Sequence, residues 1–190
     1  MDISKELKTA FAGHSNIAIR RIDIKGRLKQ AIIDEIKAGC FNFTMGTYGE
    51  FDKLALECCR ELRKEYQQID IEVVITSFNQ INPEIIHDPV WGNEKYIPYQ
   101  DVKTIMYDIE EAYYKNRIID SNMQMIDNCD TLICYINTKR YRSGAKKTYY
   151  YAKRKGLKIV NLFKPEDEPF YFMTKEEREI YFEKLEISKK

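Results

Sequence analysis

The sequence predicts an α/β fold: a Rossmann-like, open and mainly parallel sheet of about five strands, with helices on both faces and a C-terminal helical tail. Short apolar runs alternate along the chain with amphipathic segments, an order typical of right-handed strand–helix–strand units. Residues 132–134 are apolar at successive positions, as in strands that are buried on both faces. A chain of 190 residues also suits one domain of ordinary size.

The first half of the chain contains three predicted strands and two predicted helices. Residues 9–13 form a short apolar run that ends in glycine, which predicts a buried strand before a tight turn. Residues 24–36 carry apolar side chains at three- and four-residue spacing, which predicts a helix with one buried face. Residues 41–45 and 71–75 read as strands, and residues 54–66 between them read as a second amphipathic helix.

The second half begins with a less regular stretch. Residues 77–100 contain three of the five prolines and show no period, so we expect a long functional loop there. Helical character follows over residues 102–114 and strengthens over residues 117–127. The remaining predicted elements are a strand, a helix and a strand, over residues 131–136, 145–155 and 158–163.

The sequence divides into a predicted Rossmann-like domain over residues 1–163 and a charged C-terminal helical extension over residues 164–190. Pro165 and Pro169 mark the change in composition. Residues 174–177 match the pattern of a capping box, which predicts a short terminal helix packed on the rim of the domain.

Composition narrows the function classes. The chain has 31 Lys and Arg against 30 Asp and Glu, which argues against general nucleic-acid binding because counterion release needs a cationic face. No apolar run approaches 18 residues, and the N-terminal segment lacks the apolar core of a signal peptide, so we expect no membrane span. Five cysteines without Cys-x-x-Cys spacing predict reduced thiols and a cytoplasmic location. With only two histidines and no Cys/His cluster we expect no metal site, and we expect no cofactor.

Ligands of open parallel sheets bind beyond the carboxyl ends of the strands, near the point where the strand order reverses. The residues that follow the predicted strands are small or polar, which makes them candidates for ligand binding. These candidates are Gly13, His14, Ser15, Gly46, Thr47, Tyr48, Gly49, Glu50, Asp52, Thr76, Ser143 and Gly144.

The loop at residues 46–49 is the strongest candidate for ligand binding, because two glycines three residues apart separate a strand from a helix. Glycines let the backbone approach a ligand closely, and the helix start offers unsatisfied N–H groups and a partial positive charge. This combination suits a phosphate or a ribose. The alternative is an ordinary tight turn with Asp52 in the first turn of the helix.

Two further features have the same ambiguity. The helix start at residues 143–145 is surrounded by basic side chains, which form either a second anion contact or a solvated charged surface; they are Arg140, Arg142, Lys146 and Lys147. His14, at the end of the first strand, is either a ligand donor or base, or a polar turn histidine.

Several segments together resemble the SLOG superfamily, in particular its YpsA-like branch of small bacterial and phage proteins. They are residues 9–15, 46–55, 126–136 and 144–162, and the Gly-x-x-Gly-x-Phe-Asp-x-Leu-Ala segment is the most specific. The resemblance spans about residues 8–163. It implies a Rossmann-like domain, related to the LOG phosphoribohydrolases, that holds a nucleotide-like ligand against Gly46, Gly49, Glu50 and Asp52, with His14 and Ser15 facing it. Asn122 keeps the Asn of an Arg-Asn pair found in many YpsA-like relatives, so it joins the candidates.

The sequence departs from its enzymatic relatives at their acids. The LOG enzymes carry a catalytic Glu in Pro-Gly-Gly-x-Gly-Thr-x-x-Glu, and alignment on Gly49 puts Lys53 at that position. In the nucleoside deoxyribosyltransferases a nucleophilic Glu follows a Ser-Gly helix start, and the same position here is Thr148. A hydroxyl cannot replace a carboxylate that must stabilise an oxocarbenium-like centre.

Three hypotheses follow. The first is a module that binds a nucleotide-derived small molecule as a sensor or sequestering protein, which the missing acids favour. The second is an N-glycoside (phosphoribo)hydrolase acting on a nucleotide, with Glu50, Asp52 and His14 as catalytic candidates and with the helix dipole keeping both carboxylates ionised. The third is a protein-interaction module that uses residues 77–100 or the terminal helix; the 14 tyrosines would suit an interface and a homodimer.

Overall fold

The computed structural model describes residues 6–17, 21–88, 92–109, 113–141 and 143–187, and it has an α/β architecture. The strands are β1 (Lys8–Gly13), β2 (Asn42–Met45), β3 (Asp70–Val74), β4 (Glu84–Asp88), β5 (Gly92–Tyr96), β6 (Lys103–Ile105), β7 (Thr131–Tyr135) and β8 (Lys158–Asn161). The helices are α1 (Arg21–Lys37), α2 (Glu50–Arg63), α3 (Tyr114–Asp127), α4 (Gly144–Lys155) and α5 (Lys175–Ile187).

Six of these strands form one open, parallel sheet in the order β6-β3-β2-β1-β7-β8. The chain first moves outward from β1 through β2 to β3 and β6, and then returns to pair β7 with the other side of β1. In this register Ala10 of β1 lies between Thr44 of β2 and Leu132 of β7. The predicted Rossmann-like fold is confirmed, and the strand order reverses between β1 and β7.

Two separate cores cover the two faces of the sheet. Successive side chains of a strand point to opposite faces, so in β1 Phe11 enters one core while Ala10 and Ala12 enter the other. The apolar faces of α1 and α2 close the first core. Met125 and Ile126 of α3, together with α4, close the second core. The strands are therefore buried on both sides, as their apolar sequences predict.

Two predictions about residues 77–114 are wrong. Residues 77–100 are not an irregular loop: they contain a 3₁₀ turn at Phe78–Ile81 and the antiparallel pair β4–β5, whose connecting residues 89–91 lie outside the described part. The strand β5 is largely polar and so shows no apolar alternation. Residues 102–109 are not helical, because residues 103–105 form β6, which pairs with β3. Residues 110–112 lie outside the described part, and the helix α3 begins only at Tyr114.

The C-terminal extension is tied to the domain by ion pairs. Asp167 pairs with Arg27 of α1 at 2.9 Å, and Glu168 pairs with Arg140. The helix α5 then begins with the predicted capping box, in which the N–H of Glu177 donates to Thr174 Oγ1 at 3.2 Å. The division of the chain into a domain and an extension, and the homodimer, stay predictions.

None of the helices in the described ranges combines the length and the apolar character needed to cross a lipid bilayer.

Replacing Gly13 by Ala tests the contact between β1 and α2. A Cβ at Gly13 would lie 2.4 Å from Cγ of Phe51, a fully buried ring that cannot move aside without disturbing the core. We expect Gly13→Ala to lower the free energy of unfolding by about 1–3 kcal/mol, as overpacking does in other cores, measured by urea denaturation.

Gly26→Ala is the matched control. Gly26 lies on the exposed side of α1, and a Cβ there meets no atom within 4 Å. Because Ala favours the helix more than Gly does, the free energy of unfolding of the control should rise by about 0.5–1 kcal/mol. Equal stability of Gly13→Ala and the wild type would contradict the proposed steric limit.

Candidate functional site

A cavity of about 380 Å³ lies at the carboxyl ends of β1 and β7, where the strand order reverses. This is the position expected for the ligand site of an open parallel sheet. Its lining includes many of the residues predicted from sequence: Gly13, His14, Ser15, Tyr48, Gly49, Asp52, Asn122, Ser143 and Gly144.

The other predicted residues, Gly46, Thr47, Glu50 and Thr76, do not line this cavity. Thr47 Oγ1 accepts a hydrogen bond from Gln80 Nε2 at 2.7 Å, and the buried Thr76 shares a hydrogen bond with the hydroxyl of Tyr48. Glu50 forms an ion pair with Lys53 at 3.1 Å. Gly46 lies beneath the carboxylate of Asp52.

Asp52 organises the loop between β2 and α2. Its Oδ2 accepts hydrogen bonds from the N–H groups of Tyr48 and Gly49, both at 3.2 Å. The N–H of Glu50 donates to the carbonyl oxygen of Ser15 at 3.0 Å. The protein itself therefore satisfies much of the start of α2, where we expected a ligand phosphate.

The glycines of this loop serve its packing. A Cβ at Gly49 would lie 3.2 Å from Cα of Ser15, and a Cβ at Gly46 would lie 3.1 Å from Oδ2 of Asp52. Glycine at these positions lets the loop press against the end of β1 and makes room for the carboxylate. The Gly-x-x-Gly spacing is thus explained by contacts within the protein.

The electrostatics of Asp52 differ from the expectation based on the helix dipole. Burial raises the pKa of this carboxyl from 3.8 to about 6, because desolvation outweighs the two N–H groups that stabilise the charged form. Asp52 is therefore mainly ionised at pH 7, but it takes up a proton under mildly acidic conditions.

His14 connects the end of β1 to the loop after β7. The N–H of Asn137 donates to His14 Nε2 at 2.8 Å, so the proton of the neutral ring is on Nδ1, which faces Ser143 Oγ at 3.3 Å. Burial, and then the charge of Arg140, lower the pKa of His14 to about 4. Both nitrogens are engaged and the ring is neutral at pH 7, an arrangement that suits a positioning residue.

The start of α4 opens onto the cavity. Ser143 Oγ accepts a hydrogen bond from the N–H of Lys146 at 3.4 Å and so caps the helix. Gly144 and Ala145 line the cavity, and N–H groups in the first turn have no acceptor within their own helix. A Cβ at Gly144 meets no atom within 4 Å, so there is open space at this start. An open helix start of this kind can accept an anion.

Arg140 supplies a positive charge to the cavity wall. Its guanidinium donates to both carboxylate oxygens of Glu168, with Nε 3.0 Å from Oε2. Glu168 also accepts a hydrogen bond from Asn137 Nδ2 at 2.7 Å. A residue of the C-terminal extension thus holds the arginine in place. Arg142, the neighbouring basic residue of the sequence analysis, lies outside the described residues.

Several residues that line the cavity were not predicted from sequence: Ile118, Ile119, Tyr141 and Tyr171. Helical spacing could have identified Ile118, which lies four residues before Asn122 and therefore on the same side of α3. Tyr171 could not have been identified in this way, because it belongs to the C-terminal extension and not to α3.

In the part of the chain that the structure describes, no three His, Cys, Asp or Glu side chains are grouped as a metal site requires.

No model of a known protein family matches the chain, and no curated protein matches it in sequence. The resemblance to the SLOG superfamily therefore rests on the motifs quoted above.

Asp52→Asn should change how stability depends on pH. The raised pKa of Asp52 means that the folded state holds a proton between about pH 4 and 6 that the unfolded state has released. The wild type therefore loses stability from this group as the pH rises through that window. We expect Asp52→Asn to be more stable than the wild type by about 1–3 kcal/mol at pH 7, with the difference vanishing near pH 4.

The measurement is urea denaturation of both proteins at several pH values between 4 and 8. Asn keeps an oxygen that can accept from the N–H groups of Tyr48 and Gly49, so the cap of α2 is retained. His14 has the opposite pH dependence, but it is present in both proteins and cancels in the difference. A difference in stability that does not change with pH would contradict the assigned shift.

Proposed function

We propose that this chain binds a nucleotide-derived small molecule in the cavity between β1 and β7, as a sensor or a sequestering protein. One observation carries the proposal: an open helix start with an arginine and a half-buried carboxylate border the same cavity. Ser143, Gly144 and Arg140 follow β7, whereas Asp52 follows β2, so the two sets flank the end of β1. A phosphate ester of a sugar carries matching groups, an anion next to hydroxyl donors.

The phosphate belongs at the start of α4. Free N–H groups and the partial positive charge at a helix start stabilise an anion, and a guanidinium can add charge-assisted hydrogen bonds. Arg140 donates hydrogen bonds to Glu168 from Nε and Nη2, but a guanidinium has five N–H groups. Donors therefore remain for a phosphate beside Gly144 and Ala145.

The sugar hydroxyls belong near Asp52, Ser143 and Asn122. An ionised carboxylate only accepts hydrogen bonds, so Asp52 suits hydroxyl donors. The Ser143 oxygen accepts from His14 Nδ1 and from the N–H of Lys146, which leaves its own proton for a ligand. Asn122, whose Oδ1 lies 3.7 Å from the position of a Cβ at Gly46, offers an amide near the same carboxylate.

We further propose that the chain belongs to the SLOG superfamily, YpsA-like branch. The sequence motifs support this, and so do the parallel sheet and the position of the cavity. We also propose a cytoplasmic location, which the five free thiols support.

Asp52 also favours a second candidate, an N-glycoside hydrolase. It lines the cavity, and its pKa of about 6 is typical of perturbed carboxyls at catalytic sites. In that reaction the bond from the sugar to the base breaks, water adds to the sugar carbon, and the base leaves with a proton. Asp52 would stabilise the positive charge on the sugar, while Glu50 lies apart in its ion pair with Lys53.

Gly144→Asp tests the binding site. The change puts a negative charge at the open start of α4, where there is space for it and where Asp is compatible with the helix dipole. We expect the mutant to fold normally and to bind AMP or GMP about 100-fold more weakly than the wild type, measured by isothermal titration calorimetry.

The Asn side chain of Gly144→Asn has nearly the same size as Asp but no charge, so this variant should bind the nucleotide only about tenfold more weakly than the wild type. Gly26→Asp places the same charge on the exposed side of α1, away from the cavity, and should bind as the wild type does. Wild-type affinity in Gly144→Asp, or no binding of either nucleotide by the wild type, would refute the proposed site.

Chromatography of AMP after incubation with the protein separates the two candidate functions. A binding module returns AMP intact, which is the result we expect. A hydrolase instead releases adenine and ribose 5-phosphate, and that release should be lost in Asp52→Asn because Asn cannot stabilise a developing positive charge as a carboxylate does.

A further inference from the structure

A second cavity, of about 480 Å³, adjoins the first. The segment after β1, including Asn16 and Ile17, forms one side, and the C-terminal extension forms the other. Arg140 and Tyr171 line both cavities and therefore stand between them. The volume is in the range of small-molecule sites.

Aromatic rings dominate the extension side of this second cavity. Phe170, Tyr171 and Tyr181 line it, and each is more than a third exposed, at 36%, 37% and 37%. Ile17, on the other side, is only 4% exposed and gives the cavity an apolar surface. Partly exposed aromatic rings around an apolar surface are the groups on which a flat, unsaturated ring system stacks.

Contacts within the protein hold Phe170 and Tyr171 in place. Arg27 and Asp167 pair at 2.9 Å, which fixes the extension just before Pro169. The ring of Phe170 packs edge-to-face with Tyr171 at 5.8 Å between centroids. Arg178 of helix α5 also contacts Phe170, because its guanidinium lies 5.1 Å from the centre of that ring. Such preorganisation lowers the entropy cost of binding.

We propose that the second cavity is a nucleobase subsite. The base stacks on the rings of Tyr171 and Tyr181, and the bond that joins it to the sugar passes between Arg140 and Tyr171. The sugar and the phosphate occupy the first cavity, with the phosphate at the start of α4. This inference rests on the proposed function and extends it, because it gives the C-terminal extension a direct part in recognising the base.

Three probes test the inference on the full chain: AMP, GMP and ribose 5-phosphate, which has the phosphate and sugar but no base. We expect the wild type to bind the better of the two nucleotides at least about tenfold more tightly than ribose 5-phosphate, since stacking on an aromatic ring stabilises a bound base. Calorimetry gives all three dissociation constants.

Tyr181→Ala locates the effect, because Tyr181 lines the second cavity but not the first. The change should weaken nucleotide binding about tenfold and leave ribose 5-phosphate binding unaltered, while Tyr181→Phe keeps the ring and should bind as the wild type does. Tyr150→Ala removes an exposed tyrosine of α4 that lines neither cavity, and it should change nothing. If thermal unfolding shows that Tyr181→Ala is destabilised, Tyr181→Leu is used in its place, because Leu retains apolar volume without the ring.

The outcomes separate this inference from the proposed function. Equal affinity for ribose 5-phosphate and the nucleotides would overturn the base subsite and leave the phosphate site standing. An equal loss for all three probes in Tyr181→Ala and Tyr181→Leu would overturn it as well. If the wild type binds none of the three probes, the proposed function fails and the subsite fails with it.

Discussion

The parallel pairing of β1 with β7 determines where the main cavity of this protein lies. The chain leaves β1 toward β2 and returns to its other side at β7, so the connections that follow β2 and β7 diverge at the end of β1. Hydrogen bonds continue the pairing beyond the strands: the N–H of His14 donates to the Tyr135 carbonyl at 3.2 Å, and the N–H of Asn137 donates to the His14 ring at 2.8 Å. The hydrogen bonds that pair β1 with β7 thus continue into the residues that border the cavity.

The two helix starts beside this floor differ in what they offer. Asp52 occupies the start of α2 with a carboxylate from the protein, whereas Gly144 leaves the start of α4 open. The cavity is thus polarised, with an acceptor on one side of β1 and donors on the other. A molecule that is anionic throughout would meet Asp52 unfavourably, while a phosphate joined to hydroxyl groups would match both sides. The raised pKa of Asp52 follows from the desolvation of its carboxyl at this position beside the cavity.

Sequence patterns predicted the elements whose two faces are both buried, such as β7, because such strands are apolar at successive positions. They missed β5 and β6, since a polar strand and a three-residue edge strand produce no such pattern. Position after a strand sufficed to place His14 and Asp52 at the cavity. Their protonation and partners could not be predicted, because these depend on burial and on contacts as distant as that of His14 with Asn137.

An ion pair between Glu168 and Arg140 joins the C-terminal extension to the cavity wall. Glu168 orients this guanidinium through two of its N–H groups, and a guanidinium has five. The proposed phosphate and the extension would therefore not compete for the arginine. An orientation fixed in advance spares the ligand the entropy cost of ordering the side chain. By linkage, any ligand that binds more tightly when the extension is docked must stabilise that docking by the same factor. Tyr171, which lines both cavities, would make the coupling direct, because a bound molecule that touches its ring holds the extension and the sheet together.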